Sequence, residues 1–214
     1  MSALNQERRR PGAETLSPSE AAYVAAVSRK TVDQAIDRGE VTLLQSLRRT
    51  DSARSLAISD AVYLRLRRNA GRVLSSEGKR RLYQRLTGRP IDEIPGIIDL
   101  GSVGVRTEIA VGEVLECLAR LRGARNLVAS DPEVRGGEPV VRGTRIPVYL
   151  VAELVAQGTG REAILAAYPA LTAESLDAAV LYAQLHPRRG RPRSAPWREK
   201  PPVRVFTPGE LGER

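Results

Sequence analysis

Residues 131–158 read DPEVRGGEPVVRGTRIPVYLVAELVAQG, and this stretch decides the fold. Gly136-Gly137 and Gly143 are turn points, because glycine reaches positive φ without a Cβ clash. Val140-Val141 and Ile146 are short β-branched runs between and after them, the pattern of a tight hairpin. Pro147 suits a first helical position, and Leu150, Leu154 and Val155 follow at helical spacing until Gly158 stops the helix. Moving outward, Gly160 to Ala167 reads as a second helix with Ala163, Ile164 and Ala167 inward, ended by Tyr168-Pro169. Thr172 caps a third helix, which buries Leu176, Ala179, Val180 and Ala183. A hairpin followed by three short helices is predicted.

The string GGEPVVRGTRIPV at 136–148, LVAQG at 154–158 and REAILAAYPALTAESLDAAV at 161–180 together resemble the family called domain of unknown function 433. The likeness runs from about Asn126 to Gln184, and its specific parts are Gly143 to Pro147 and Tyr168 to Thr172. The resemblance implies a helix-turn-helix-like three-helix domain. It also implies a VapB-type antitoxin of a type II toxin–antitoxin system, whose partner is a PIN-domain ribonuclease toxin.

The charge divides unevenly along the chain. Residues 1–90 hold 18 basic and 9 acidic side chains, residues 91–186 hold 8 and 13, and residues 187–214 hold 8 and 3. The family-like stretch therefore lies in the acidic part, with positive charge on either side. That asymmetry points to a polyanion partner for the N-terminal third, nucleic acid being the obvious one, and to a separate partner for the tail. With one tryptophan and one phenylalanine, the cores must be built from Ala, Val, Leu and Ile. The single cysteine, Cys117, sits in an apolar helical stripe and excludes an internal disulfide. No stretch approaches the ~18 apolar residues of a membrane span, and the N-terminus lacks a hydrophobic signal core. A soluble cytoplasmic protein with no membrane contact is expected.

Residues 1–15 read as a disordered arm, and 16–90 as a winged helix-turn-helix DNA-binding domain. Ser17-Pro18-Ser19-Glu20 is a capping box ahead of a helix to Ala26. After a corner at Val27-Ser28 a second helix runs SRKTVDQAIDRG, with Val32, Ala35 and Ile36 inward and Gly39 as its stop. Two short helices with small residues at their contact and a tight turn are the helix-turn-helix plan, or else an ordinary αα-hairpin with a solvated face. Under the first reading the DNA-contacting residues are Ser28, Arg29, Lys30, Thr31, Gln34 and Arg38. Val41 to Leu47 and Ser55 to Ile58 look like strands of a wing whose basic loop adds Arg48, Arg49 and Arg54. Ser59-Asp60 then caps a helix from Ala61 to Asn69 with Arg65, Arg67 and Arg68 solvated, and Ser76 to Thr87 is a further basic helix. Residues 91–125 hold two strands around Gly101 and Gly104 and a helix from Val111 to Arg122. This segment either extends the winged domain or bridges to residues 126–186.

The third helix of the family-like domain opens Thr172-Ala173-Glu174-Ser175-Leu176-Asp177, two acids and no base, and carboxylates facing phosphates are repelled. Residues 126–186 are therefore assigned to self-association, giving a homodimer within a larger toxin–antitoxin complex. Residues 187–214 form a Pro/Arg-rich tail with six of the chain's 14 prolines, which favours extended geometry over helix. It also holds the sole tryptophan and phenylalanine, large aromatics placed where no core exists. The expected toxin-binding residues are Arg188, Arg189, Arg191, Arg193, Trp197, Arg198 and Phe206, with Arg191 or Arg193 entering the toxin's carboxylate cluster. The alternatives are an AT-hook at Arg189-Gly190-Arg191-Pro192 and an inert solubilising tail. No catalytic set is legible. His186 is the only histidine, no cysteine pair supplies zinc, and no Walker-type glycine loop is present, so no enzyme activity, cofactor or metal is expected. The fold class expected overall is mainly α with small β hairpins.

Overall fold

The computed structural model describes residues 14–44, 54–71 and 73–188. The first described element is β1 (Thr15–Leu16), which pairs antiparallel with β2 (Leu56–Ala57), Thr15 opposite Ala57. Thr15, expected in the arm, is thus already in the folded body. Helix α1 (Pro18–Ala25) starts as the sequence predicts. The Ser17 hydroxyl accepts the Glu20 N–H at 3.3 Å, and the Glu20 carboxylate accepts the Ser17 N–H at 2.8 Å. Ala26 in the left-handed region (φ 49°) ends the helix. After a three-residue turn, Ser28 caps α2 (Arg29–Asp37), which buries Val32 and Ala35.

Helix α3 (Ile58–Ala70) is the centre of the first core, buried at every position from Ser59 to Leu66. It begins earlier than the sequence suggests. Asp60 caps from inside the helix, its carboxylate accepting the Ala57 N–H at 2.9 Å, so Ile58 is already helical. Helix α4 (Ser76–Leu86) leans on α3 through Leu82 and Leu86, and Tyr83 meets Tyr63 edge-on at 5.1 Å. Among the described residues the expected wing strands show one antiparallel bridge, Leu44 with Ser55, while Leu56 and Ala57 pair with β1. Residues 45–53 lie outside the described residues.

A 3-10 turn (Ile91–Glu93) leads to the hairpin of β3 (Ile97–Asp99) and β4 (Gly104–Arg106), then to the long helix α5 (Glu108–Asn126). Ile98, Leu100, Val105, Val114, Leu118 and Leu121 all enter the same core as α1, α3 and α4. The segment left open by the sequence thus belongs to the first body.

The second core keeps the expected element order but not all of the expected contacts: Val148 and Val151 are buried where Val155, Ala163 and Ala167 are exposed. Strand β5 (Val128–Ala129) pairs antiparallel with β6 (Val140–Val141), and α6 (Val148–Ala156), α7 (Arg161–Ala167) and α8 (Ala173–Leu185) close over them. Gly143 takes φ 77° at the turn where the Val141 N–H returns to the Ile146 carbonyl, and Gly158 takes φ 82° after α6. Val128, Val141, Val148, Val151, Ile164 and Leu176 make the interior. Helix α8 also packs on α5, and Leu185 at its end is buried in the first core, so the two cores share one helix. The described chain is mainly helical with small antiparallel strand pairs.

Candidate nucleic-acid interface

Helix α2 buries Val32 and Ala35 and turns its other side to solvent. Lys30, Gln34 and Arg38, four residues apart, form one exposed line along that side. Neither Lys30 nor Arg38 joins an ion pair among the described residues. Arg29 is different. Its Nε lies 3.1 Å from both Asp33 carboxylate oxygens, and its Nη1 donates to Ser19 Oγ at 2.7 Å. Ser28 is occupied as the cap, accepting the Thr31 N–H at 3.1 Å, with its Oγ 2.8 Å from Thr31 Oγ1. Of the residues predicted to contact DNA, Lys30, Gln34 and Arg38 are therefore free to do so, while Arg29 and Ser28 build the helix itself. Arg54 is exposed next to the bridged Ser55. Arg48 and Arg49 lie outside the described residues.

Beside the start of α2 is a cleft of about 440 Å³ between Val27, Ser28 and Thr31 on one side and Leu64, Arg67 and Arg68 on the other. Two arginines of α3 correct an expectation, since Arg65 is buried and Arg67 largely covered, while Arg68 is exposed as expected and still bonds the fold. Arg65 is buried, with its Nε 2.7 Å from Glu113 Oε2 and its Nη1 donating to the Val24 carbonyl. The Arg65 guanidinium holds the Glu113 carboxyl below its ordinary range. Arg67 pairs with Glu40 at 2.6 Å, and Arg68 Nη1 donates to the Ala26 carbonyl at 2.7 Å. Arg68 thereby ties the helix–turn–helix corner to α3. No sequence spacing signals these pairs, because the partners lie 27 to 48 residues away.

The acidic start of α8 behaves otherwise. Arg161 Nη1 and Nη2 donate to the two Asp177 oxygens at 2.5 and 2.6 Å, clipping α7 to α8 and lowering the Asp177 pKa. Glu174 stays exposed. Arg142 donates to the carbonyls of Asn126 and Val128, pinning the hairpin as its position suggests. This face offers carboxylates and paired arginines, not a free basic line.

The exit toward the tail is held by groups that sequence reasoning does not connect. Glu20, 3% exposed, meets Arg125 Nη2 at 2.8 Å and His186 Nε2 at 3.3 Å. Burial pushes its carboxyl up, but hydrogen bonds from His186, the Ser17 N–H and Arg125 outweigh that and lower its pKa from 4.5 to about 2. His186 is the C-cap of α8, with its ring also against Tyr182 at 4.5 Å. Tyr149 Oη donates to the His186 carbonyl at 2.8 Å. Arg188, expected to reach a partner, stacks over Tyr149 at 4.7 Å and pairs with Glu138. Arg189, Arg191, Arg193, Trp197, Arg198 and Phe206 lie outside the described residues.

Residues 128–183, the second core, match the family described as "Protein of unknown function (DUF433)". A protein of Sinorhizobium fredii, "Uncharacterized protein y4eO", is 51% identical over 78 residues, which cover 36% of this chain and 35% of that protein. The chain thus spans about a third of the length of this curated relative. Among solved structures, a DUF433 member protein from Anabaena variabilis is 38% identical, covering 35% of this chain and 73% of that one, with a TM-score of 0.28. Rv2018 from Mycobacterium tuberculosis is 18% identical, covering 77% and 96%, with a TM-score of 0.30. Both scores are below the level at which a shared overall arrangement follows. Among the described residues no helix is long and apolar enough to cross a membrane.

Proposed function

We propose that the chain is an antitoxin-type regulator: its N-terminal body binds operator DNA as a winged helix-turn-helix, and its tail neutralises a PIN-domain ribonuclease. The carrying observation is the exposed line Lys30, Gln34 and Arg38 on α2, held at a fixed corner by the Ser28 cap and the Arg68–Ala26 bond. A lysine and an arginine with a glutamine between them suit phosphate and base-edge contact, and counterion release makes such contact salt-dependent. Arg54, with Arg48 and Arg49, supplies the wing in this reading.

The toxin half rests on residues 187–214, whose composition places Trp197 and Phe206 among arginines with no core to bury them. Guanidinium groups pair with the carboxylates that a metal-dependent ribonuclease collects, which blocks its site. The protein works in the cytoplasm as a homodimer, and no catalytic residue, metal or cofactor of its own is assigned. A second reading, a DNA-binding regulator without a toxin, is favoured by Arg188 being engaged by Glu138 and Tyr149 of its own chain.

One capture experiment separates the two. Tagged full-length protein is compared with a version ending at Arg188, which keeps the Glu20–His186 contact and the buried Leu185, and with full-length Trp197→Ala/Phe206→Ala. A small ribonuclease recovered and inhibited only by the unaltered full-length bait is the expected result. Inhibition by the shortened chain would sink the tail mechanism. DNA binding with no ribonuclease captured by any bait would favour the regulator.

A further inference from the structure

The start of the tail is seated on the molecule's own surface. Helix α8 ends with Leu185 buried in the first core, and His186 is then held from two sides. Its Nε2 lies 3.3 Å from Glu20 Oε1, and its carbonyl accepts the Tyr149 hydroxyl at 2.8 Å. Pro187 follows with its locked φ, so little freedom separates His186 from residue 188. The Arg188 guanidinium lies over the Tyr149 ring, its Cζ 4.7 Å from the centroid, and donates to Glu138 Oε1. Tyr149 thus holds the chain twice, through its hydroxyl at 186 and its ring face at 188.

An uncommon turn presents Glu138 for this contact. Arg135, Gly136 and Gly137 take φ of 51°, 66° and 84° in succession, and Arg135 is a non-glycine residue in the left-handed region. Ser130 Oγ fixes the turn by donating to the Gly137 carbonyl at 2.6 Å. The Glu138 side chain is 22% exposed, and its other oxygen accepts the Arg135 Nε at 3.0 Å. One carboxylate therefore serves two guanidiniums, and when Arg188 leaves, Glu138 keeps Arg135. The carboxylate beside His186 is different: Glu20 is buried and braced by Arg125, whereas Arg188 is 54% exposed. The chain is firmly held at 186 and releasable at 188.

We propose that Tyr149 and Glu138 form a guanidinium-binding site whose resident ligand is Arg188, a self-contact that keeps the tail's first arginine from acidic partners until one competes it away. The ligand class follows from the chemistry: an aromatic face for the plane of the cation and a carboxylate at its edge for the N–H groups. The competitor is a polypeptide surface with clustered carboxylates, because it offers Arg188 more negative charge than a Glu138 already shared with Arg135. The site does not depend on the antitoxin reading, since a chain without a ribonuclease partner holds Arg188 in the same way.

The test is limited trypsin digestion of the full chain, with mass spectrometry separating cleavage after Arg188 from cleavage after Arg193 as the reference. Trypsin must take the Arg188 side chain into its own specificity pocket, so cleavage there reads the fraction of molecules in which Tyr149 and Glu138 have released it. Glu138→Gln and Tyr149→Leu should each raise the ratio of the two cleavages by about three- to tenfold, as expected for losing an exposed ion pair or a cation–π contact. Circular dichroism melting shows that each variant folds. Arg135→Gln, which leaves Glu138 to Arg188 alone, and Glu133→Gln, which removes an exposed carboxylate of the same loop, should not raise it. Poly-L-glutamate, the acidic probe, should bind Glu138→Gln about threefold tighter than the charge-matched Glu133→Gln. An unchanged ratio in Glu138→Gln, a rise as large with Arg135→Gln, or equal affinity of the two charge-matched variants for poly-L-glutamate would each overturn the proposal. Failure to capture a ribonuclease leaves these ratios where they are, so the two readings fail separately.

Discussion

The two cores use their charged residues in opposite ways. In the first, Arg65, Arg67 and Arg125 reach across the fold to Glu113, Glu40 and Glu20, and the fixed charges lie between helices. That frees the outward side of α2 to carry Lys30, Gln34 and Arg38 without competing partners. In the second, Arg161 is clipped to Asp177 at the surface, and the helix that begins there shows Glu174 to solvent. The difference teaches where a polyanion can dock: a basic side chain serves a ligand only where the fold has not already claimed it. Counting arginines overstates how many basic groups of the first body are available to a polyanion, because Arg65, Arg67 and Arg125 are already paired within the fold.

The comparison can be broken most severely in the cores. Leu118→Ala and Leu176→Ala each remove a buried leucine, one from each cluster, and should cost about 2–5 kcal/mol in chemical denaturation. Because α8 packs on both α5 and α6, both substitutions should shift one common unfolding transition. Two separate transitions would mean that the cores are independent.

Next in size is the buried brace of the first core. Arg125→Met leaves the buried Glu20 carboxylate short of its main cation and should destabilise by about 2–4 kcal/mol. Glu20 has its pKa lowered in the folded state, so its stabilisation is full above the ordinary value of 4.5 and disappears as pH falls through about 2. Thermal melts of the unaltered chain should therefore drop between those pH values, and Glu20→Gln should flatten that part of the profile. An unchanged slope would remove Glu20 from the account. The smallest effect belongs to the caps. Thr172→Ala in the second core and Ser17→Ala in the first should each cost about 1 kcal/mol. Both variants keep the backbone N–H that donates to the third helical residue, Glu20 or Ser175, so only the hydroxyl's bond is lost in each.

These effects follow what is legible in the sequence. The second core can be read almost element by element, because its signals are local: Gly143 and Gly158 at positive φ, Pro147 before α6, and Thr172 as a cap. In the first body the Ser17 box and the α1–α2 corner are equally clear. What sequence misses there depends on distant partners. Nothing local shows that Leu56 pairs with Leu16 rather than extending a wing, or that Arg65 turns inward to Glu113. The start of α3 is misplaced from sequence because Asp60 suits an N-cap as well as the third helical position it occupies. Among the residues expected to contact DNA, sequence points to α2 but cannot separate Arg29, claimed by Asp33, from Lys30 and Arg38, which join no ion pair among the described residues.

The most direct test of the central claim is fluorescence anisotropy with labelled DNA from upstream of the chain's own gene, read at several salt concentrations. The full chain is compared with Lys30→Ala/Gln34→Ala/Arg38→Ala and with Arg145→Ala in the second core. The account predicts salt-dependent binding that the triple substitution weakens by at least about a hundredfold, while Arg145→Ala binds as the unaltered chain does. Undiminished binding by the triple variant, or loss with Arg145→Ala alone, would contradict the assignment of DNA contact to α2.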